Sequence, residues 1–315
     1  HRLQSYMWEQ GAVGIVCEPN ISDLEAVAGF WEGSVSHVAP DDTAVLQYTS
    51  GTTSLPRGAE ITHRAVLHAT RGILAREVSS MVPEPVVVSW MPHYHDMQLV
   101  GVLLSSLTQR CHAVIMDPFD FTSDPLLWWR TADRFKATHV VGPDFAYSIS
   151  SKCNADEVAK LNLSHLRCAV VGAEVLRMRT LQAFTEKFAA ARFSPEAWTP
   201  AYGLAESCVV ALRPGSPEVL ALDALAMQEG IVKAASPSSL SQLLCVSHGV
   251  PVGLDVIIVD PHTQEPLEGR IGEIWVHSAS NAKGYFRLSK ATMDTFRCTL
   301  KMGPQSPYLI YKDVR

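Results

Sequence analysis

The stretch Leu46-Gln47-Tyr48-Thr49-Ser50-Gly51-Thr52-Thr53-Ser54-Leu55-Pro56-Arg57-Gly58 begins like a strand and runs into a turn crowded with hydroxyls, glycine and one cation. Glycine lets backbone N–H groups approach phosphate oxygens closely. The hydroxyls of Ser50, Thr52 and Thr53 add donors that can reorient, and Arg57 adds a planar charged fork. This composition suits a polyphosphate and makes ATP the leading ligand. It is not a P-loop, because Gly51 is not followed at the required interval by Gly-Lys-Ser/Thr. Taken alone, the segment reads equally well as a solvated turn between two strands.

The surrounding pattern sets it in an α/β fold. Short β-rich runs at residues 13–17, 44–48, 86–90, 113–116, 139–141 and 168–171 alternate with longer amphipathic stretches, which predicts a mostly parallel sheet flanked by helices. Thr62 is placed to cap a helix running through Ala75, and Asp124-Pro125 opens another through Phe135. In residues 179–188, Leu181, Phe184 and Phe188 share one helical face. The chemistry-bearing segments follow Tyr48, Trp90 and Val171, at the strand ends where open α/β sheets bind ligands. Downstream, residues 214–241 are poor in pattern and carry a Ser/Pro cluster at 236–241. Apolar runs at 255–260 and 272–276 then suggest a smaller β-rich lobe. The expected division is therefore α/β subdomains over residues 1–220 and the β-rich lobe over 221–315.

A chain of 315 residues that is 47% hydrophobic has material for a large core. Its net charge of −6, with no dense Lys/Arg stripe, gives no electrostatic footprint for nucleic acid or an anionic membrane. The apolar run Leu99-Val100-Gly101-Val102-Leu103-Leu104 is far short of the ~20 residues that span a bilayer and reads as a core helix segment, with Leu99 and Leu103 in the core. Seven scattered cysteines without a C-x-x-C pair fit buried, reduced thiols, so the expected location is cytoplasmic.

Five segments, in order, resemble those of adenylate-forming enzymes: the Leu46 to Gly58 stretch; Trp90-Met91-Pro92-His93-Tyr94-His95-Asp96-Met97; Gly172-Ala173-Glu174; Tyr202-Gly203-Leu204-Ala205-Glu206; and Gly269-Arg270-Ile271-Gly272-Glu273-Ile274-Trp275-Val276. Within that superfamily the wording around His95 and Glu206 is most similar to the fatty acyl-AMP ligase branch. The resemblance implies the large N-terminal domain of such an enzyme, with further chain before His1 and a small lid domain after Arg315. It also implies activation of a carboxylic acid, a fatty acid being expected, as an acyl-adenylate with ATP and Mg²⁺, and transfer to the thiol of an acyl carrier protein.

Residue by residue, the resemblance gives Thr49, Ser50, Gly51, Thr52, Thr53 and Gly58 to the phosphates, with Arg57 on the outgoing ones. Glu206 and Thr53 are implied as metal ligands, and Gly172, Ala173, Glu174, Tyr202 and Gly203 as the adenine site. Asp313 matches the aspartate that accepts from the ribose hydroxyls, although Tyr311-Lys312 replaces the usual residues before it. In-line attack by a carboxylate needs alignment and charge stabilisation rather than a base, so His95 is assigned to positioning the acyl carboxylate or a phosphate. Asp96 reads as a helix-start carboxylate. Ser54 and Arg57 stand where many superfamily members have Gly and Lys, which touches rate more than ligand identity. Trp90, Met97, Leu99, Val100 and Leu103 read as an apolar tunnel or as core, core being the default for Leu99 and Leu103 at their helical spacing. Two other functions stay open: an acyl-CoA synthetase, and a catalytically weak adenylate-binding scaffold module.

Overall fold

The computed structural model describes residues 38–49, 56–75, 84–212, 215–251, 253–301 and 309–311. The chain divides into two compact units, residues 1–39 and 40–315. Only residues 38 and 39 of the first unit are described, so the account below concerns the second. The expected strand at 13–17 lies outside the described residues.

An antiparallel hairpin, β1 (Thr43–Tyr48) and β2 (Gly58–Thr62), brackets the hydroxyl-rich turn and pairs Tyr48 with Gly58. The central sheet takes β3 (Val86–Ser89), β4 (His112–Ile115), β5 (His139–Pro143), β6 (Cys168–Gly172), β7 (Trp198–Leu204) and β8 (Cys208–Leu212). A ribbon of β9 (Val219–Asp223) and β10 (Gln242–Val246) follows, and β11 (Val250–Pro251) returns to the sheet edge. Among the described residues the sheet order is β11-β8-β7-β6-β5-β3-β4, parallel from β4 through β7 and antiparallel beyond. The mostly parallel α/β architecture expected from the sequence is thus present. Residues 214–241, poor in pattern, contain β9 and the short helix Ala224–Gln228. The β-rich segment is an antiparallel sheet of β12 (Asp255–Val259), β13 (Glu273–His277) and β14 (Leu309–Tyr311).

Local chemistry explains the elements. The Thr62 hydroxyl accepts from the Ala65 amide at 3.1 Å and starts helix His63–Ala75. Asp124 accepts from the Leu126 amide at 3.1 Å, and Pro125 occupies the first turn of helix Pro125–Arg134. Every residue of β5 is buried, as expected of a parallel strand covered on both faces. Against it pack Trp128, Trp129, Tyr147, Phe184, Phe188 and Trp198, all essentially fully buried. Each contributes on the order of 1.5–3 kcal/mol from burial. Three of the polar tips are satisfied, Trp129 Nε1 donating to Ser150 Oγ at 2.8 Å, Tyr147 to the Val170 carbonyl at 2.8 Å and Trp198 Nε1 to Thr185 Oγ1 at 3.0 Å, while the Trp128 indole N–H is buried without a partner among the described residues.

One expectation is corrected. The run from Leu99 forms a π-helix, Leu99–Leu104, between the α-helical segments Asp96–Gln98 and Ser105–Gln109. Its wider turn buries Val100 and Val102 and leaves Leu99 and Leu103 only half-buried, so α-helical spacing selects the wrong pair. Trp90 resolves to core: its ring stacks on Phe121 with centroids 3.9 Å apart. Of the described cysteines, Cys168 and Cys208 are buried and the other four half-buried.

Candidate active site

The site is assembled at the ends of the central strands. The amide of Thr49 donates to the Arg57 carbonyl at 3.0 Å and closes the mouth of the loop that carries the hydroxyls. Ser50, Gly51, Thr52 and Thr53 within that loop, and Asp313 near the end of the chain, lie outside the described residues. Gln47, buried in β1, donates Nε2 to the carbonyl of Tyr94 at 2.8 Å and fixes the hairpin to the turn that presents His95.

His95 caps the helical segment that starts at Asp96: its Nδ1 accepts from the Met97 amide at 3.2 Å and lies 2.8 Å from Asp96 Oδ1. The first contact needs a bare Nδ1 and the second a protonated one, so whether Nδ1 carries a proton chooses between them. Asp96 raises the His95 pKa, against the desolvation that lowers it. Asp96 is a helix-start carboxylate, as its sequence position implied.

Glu206 sits in the tight connection between β7 and β8. The Ser207 amide donates to the Leu204 carbonyl at 3.0 Å, and the chain passes so close that a side chain at Gly203 would place its Cβ 2.2 Å from the Cys208 oxygen. The Glu206 carboxylate is 8% exposed. Tyr285 donates its phenol O–H to Glu206 Oε1 at 2.7 Å, and the Ala282 amide donates to the Glu206 carbonyl at 2.7 Å. Burial raises the Glu206 pKa; the Tyr285 hydrogen bond and the Arg57 charge work against it, and Asp96 adds to it. The Arg57 guanidinium lies over the Tyr285 ring, 5.4 Å from its centroid. Burial also pushes the Tyr285 phenol well above its ordinary value, so it stays a donor.

Residues distant in the chain, Arg57, Glu206 and Tyr285, thus form one cluster. Sequence reasoning found the first two and missed the third. Tyr285 arrives because the segment before and through it pairs with β2: the Glu60 amide donates to Gly284 at 2.9 Å, Lys283 to Glu60 at 3.0 Å and Phe286 to Gly58 at 2.8 Å. No periodicity marks that pairing. The only local signal is the Gly284-Tyr285 pair following the last predicted strand.

The adenine candidates lie where β6 and β7 end side by side. A Cβ at Gly172 would sit 2.4 Å from the Ala201 carbonyl oxygen, one residue before Tyr202, so only glycine allows this approach. Ala173 takes a left-handed φ of 63°. The Glu174 carboxylate accepts from the Phe145 amide at 2.8 Å. The loop after Gly172 is held by Asp144, fully buried, which accepts from the Arg177 amide at 2.9 Å, Arg177 Nη1 at 3.1 Å and Thr180 Oγ1 at 2.9 Å. Tyr202 is half-buried, its ring edge-on to His248 with centroids 6.1 Å apart. Gly172, Tyr202 and Gly203 are therefore brought together, while the Glu174 carboxylate is held by the Phe145 amide.

The sequence pattern of AMP-binding enzymes matches residues 12–286. The chain belongs to the AMP-binding enzyme family. This chain is 35% identical over 277 residues to the medium-chain-fatty-acid–[acyl-carrier-protein] ligase JamA of Moorena producens (strain JHB), covering 85% of this chain and 46% of the relative. It is 36% identical over 265 residues to the 4-hydroxyphenylalkanoate adenylyltransferase of Mycobacterium tuberculosis (strain ATCC 25618 / H37Rv), covering 82% and 42%. The crystal structure of the fatty acyl-adenylate ligase from L. pneumophila in complex with acyl adenylate and pyrophosphate superposes with a TM-score of 0.82 at 33% identity, covering 88% of this chain and 49% of that one. The resemblance read from the sequence segments is borne out. The chain spans about half the length of the curated relatives it matches.

Proposed function

We propose that the protein containing this chain activates a fatty acid with ATP as its acyl-adenylate, releases pyrophosphate, and passes the acyl group to the thiol of an acyl carrier protein. The observation that carries the reading is the Arg57–Tyr285–Glu206 cluster at the mouth of the loop 49–57: a cation and a buried carboxylate side by side where a polyphosphate and its counter-ion would meet. The substrate carboxylate forms a bond to the α-phosphorus while the bond from that phosphorus to the bridging oxygen of pyrophosphate breaks. No proton has to be removed, because the acid is already ionised.

In this reading Thr49, Ser50, Gly51, Thr52, Thr53 and Gly58 hold the phosphates, and Arg57 takes charge developing on the departing ones. His95 orients the acyl carboxylate. Gly172, Ala173, Glu174, Tyr202 and Gly203 form the base site, with Asp313 on the ribose. The donor set suits Mg²⁺: among the described residues no group of three or more His, Cys, Asp or Glu encloses a metal, and one buried carboxylate, Glu206, lies beside Arg57. Mg²⁺ keeps several waters and takes its remaining ligands from phosphate, so one or two protein oxygens, here Glu206 and Thr53, suffice. Bound there, the ion neutralises phosphate charge.

The carrier-protein acceptor is supported by the medium-chain-fatty-acid relative. The proposed compartment is the cytoplasm, on the scattered cysteines; among the described residues no helix is long and apolar enough to cross a membrane. The test is fatty-acid-dependent ATP–pyrophosphate exchange by the full-length protein, followed by product mass with carrier protein or with CoA. Acyl-carrier product supports the reading, acyl-CoA moves it to a CoA synthetase, and absence of exchange with retained nucleotide binding makes it an adenylate-binding scaffold.

A further inference from the structure

Tyr285 belongs to the cluster above but has been given no task of its own there, yet its placement is over-determined. Its backbone bridges to Ala59 of β2, its amide donates to Thr292 Oγ1 at 2.9 Å, and its ring meets Phe296 edge-on with centroids 5.0 Å apart. The ring is 7% exposed and its hydroxyl is spent on Glu206 Oε1. Glu206, by contrast, rides on a three-residue turn, Ala205-Glu206-Ser207, and its flexible side chain loses rotamer entropy when fixed. A phenol anchored on the framework removes that freedom before any ligand arrives. The face of the same ring lies under the Arg57 guanidinium, a site where an aromatic quadrupole holds a cation.

We propose that Tyr285 is a positioning residue for the nucleotide site: its hydroxyl sets the Glu206 carboxylate for a divalent cation, and its ring seats Arg57 for the phosphates beside that cation. The proposal rests on the adenylation reading and deepens it. Two ends of the phosphate site, the anionic one that takes metal and the cationic one that takes phosphate, are aligned by one side chain that touches neither ligand.

The test is Tyr285→Phe in the full-length protein, which removes the hydroxyl and keeps the ring, with retention of fold followed by circular dichroism. Binding of Mn²⁺ in the presence of ATP is titrated by electron paramagnetic resonance, and binding of ATP in EDTA by calorimetry. Loss of a hydrogen bond to a charged group should weaken Mn²⁺ binding about tenfold or more, with metal-free ATP binding unchanged. In pyrophosphate exchange the half-saturating Mg²⁺ concentration should rise by a similar factor, with near-normal rate at saturating Mg²⁺. Tyr285→Leu, which also removes the ring, should weaken metal-free ATP binding as well. Unchanged Mn²⁺ binding by Tyr285→Phe overturns the proposal, and so does equal weakening with and without metal, which marks a merely structural residue. The arms separate from the parent reading: wild-type protein that binds Mn²⁺ and ATP but shows no fatty-acid-dependent exchange sinks adenylation, while the metal-selective loss in Tyr285→Phe still supports the role of Tyr285. Wild-type protein that binds no Mn²⁺ with ATP overturns both.

Discussion

Gln47 of β1 and Tyr94 of the turn before His95 are joined by one hydrogen bond, the Gln47 amide to the Tyr94 carbonyl at 2.8 Å, and this bond is a direct polar tie between the loop hairpin and the segment that carries His95. Gln47 is buried while Tyr94 is exposed, so the tie is anchored on the hairpin side. Gln47→Leu should cost about 0.5–1.5 kcal/mol of stability. If loop and turn act on one reaction, the KM values for ATP and for the acid should rise together. Thermal melts and exchange kinetics with each substrate varied check this, and a rise for one substrate alone would show that the two segments work independently.

Glu206 gives a prediction with a sign. Its folded-state pKa is raised, chiefly by burial, so the native state binds its proton more readily than the unfolded chain does. Between the ordinary carboxylate value and the raised one the native state holds more protons, and stability falls as pH rises through that window. Glu206→Gln removes the buried charge without changing volume. The variant should therefore melt above wild type near neutral pH, with the difference shrinking as pH falls below the raised value. It should also lose Mg²⁺-dependent exchange. A variant that exchanges like wild type refutes the metal role, whatever its melting curve.

His95 carries the opposite sign. Its pKa is raised by Asp96, so the pair stabilises the fold fully below the ordinary imidazole value, and that contribution is lost as pH rises through the raised one. The margin of wild type over His95→Ala should be largest in mildly acidic solution and should narrow in alkaline solution. Melting curves across this range read it directly. In exchange, His95→Ala should reduce kcat/KM for the acid more than for ATP.

Much of the scaffold could be read from the residues because its causes are local. Thr62 and Asp124-Pro125 announce helix starts through short-range hydrogen bonding and a fixed proline φ, and the helix Met178–Phe188 buries the apolar face that its spacing showed. Glu206 was found through a short contiguous segment. What escaped depends on pairing at long range or on winding. Tyr285 reaches Glu206 only through the strand-like pairing of residues 283–286 with β2, and Asp144 holds the loop after Gly172 only because β5 and β6 run side by side. Leu99 and Leu103 were assigned to the core by a 3.6-residue period that the π-helix does not follow.

Arg57 joins the two ends of the site, and its substitutions should separate them. The guanidinium lies over the Tyr285 ring and next to the loop mouth, where the Thr49 amide meets its own carbonyl. Arg57→Lys keeps a charge but loses the planar stack, about 0.5–1 kcal/mol at a partly exposed site, so its effect on ATP binding should be mild. Arg57→Ala removes the charge-assisted contacts and should cost about 1.5–3 kcal/mol if one such hydrogen bond to phosphate is lost. That loss should fall on ATP far more than on a non-hydrolysable acyl-adenylate analogue, which has no β- or γ-phosphate for the fork to hold. Calorimetric titration of both ligands against wild type and the two variants makes the comparison. Equal weakening of both would make Arg57 a structural residue of the hairpin, seated on Tyr285 for packing alone, and would leave the polyphosphate reading of the loop to the hydroxyls and glycines.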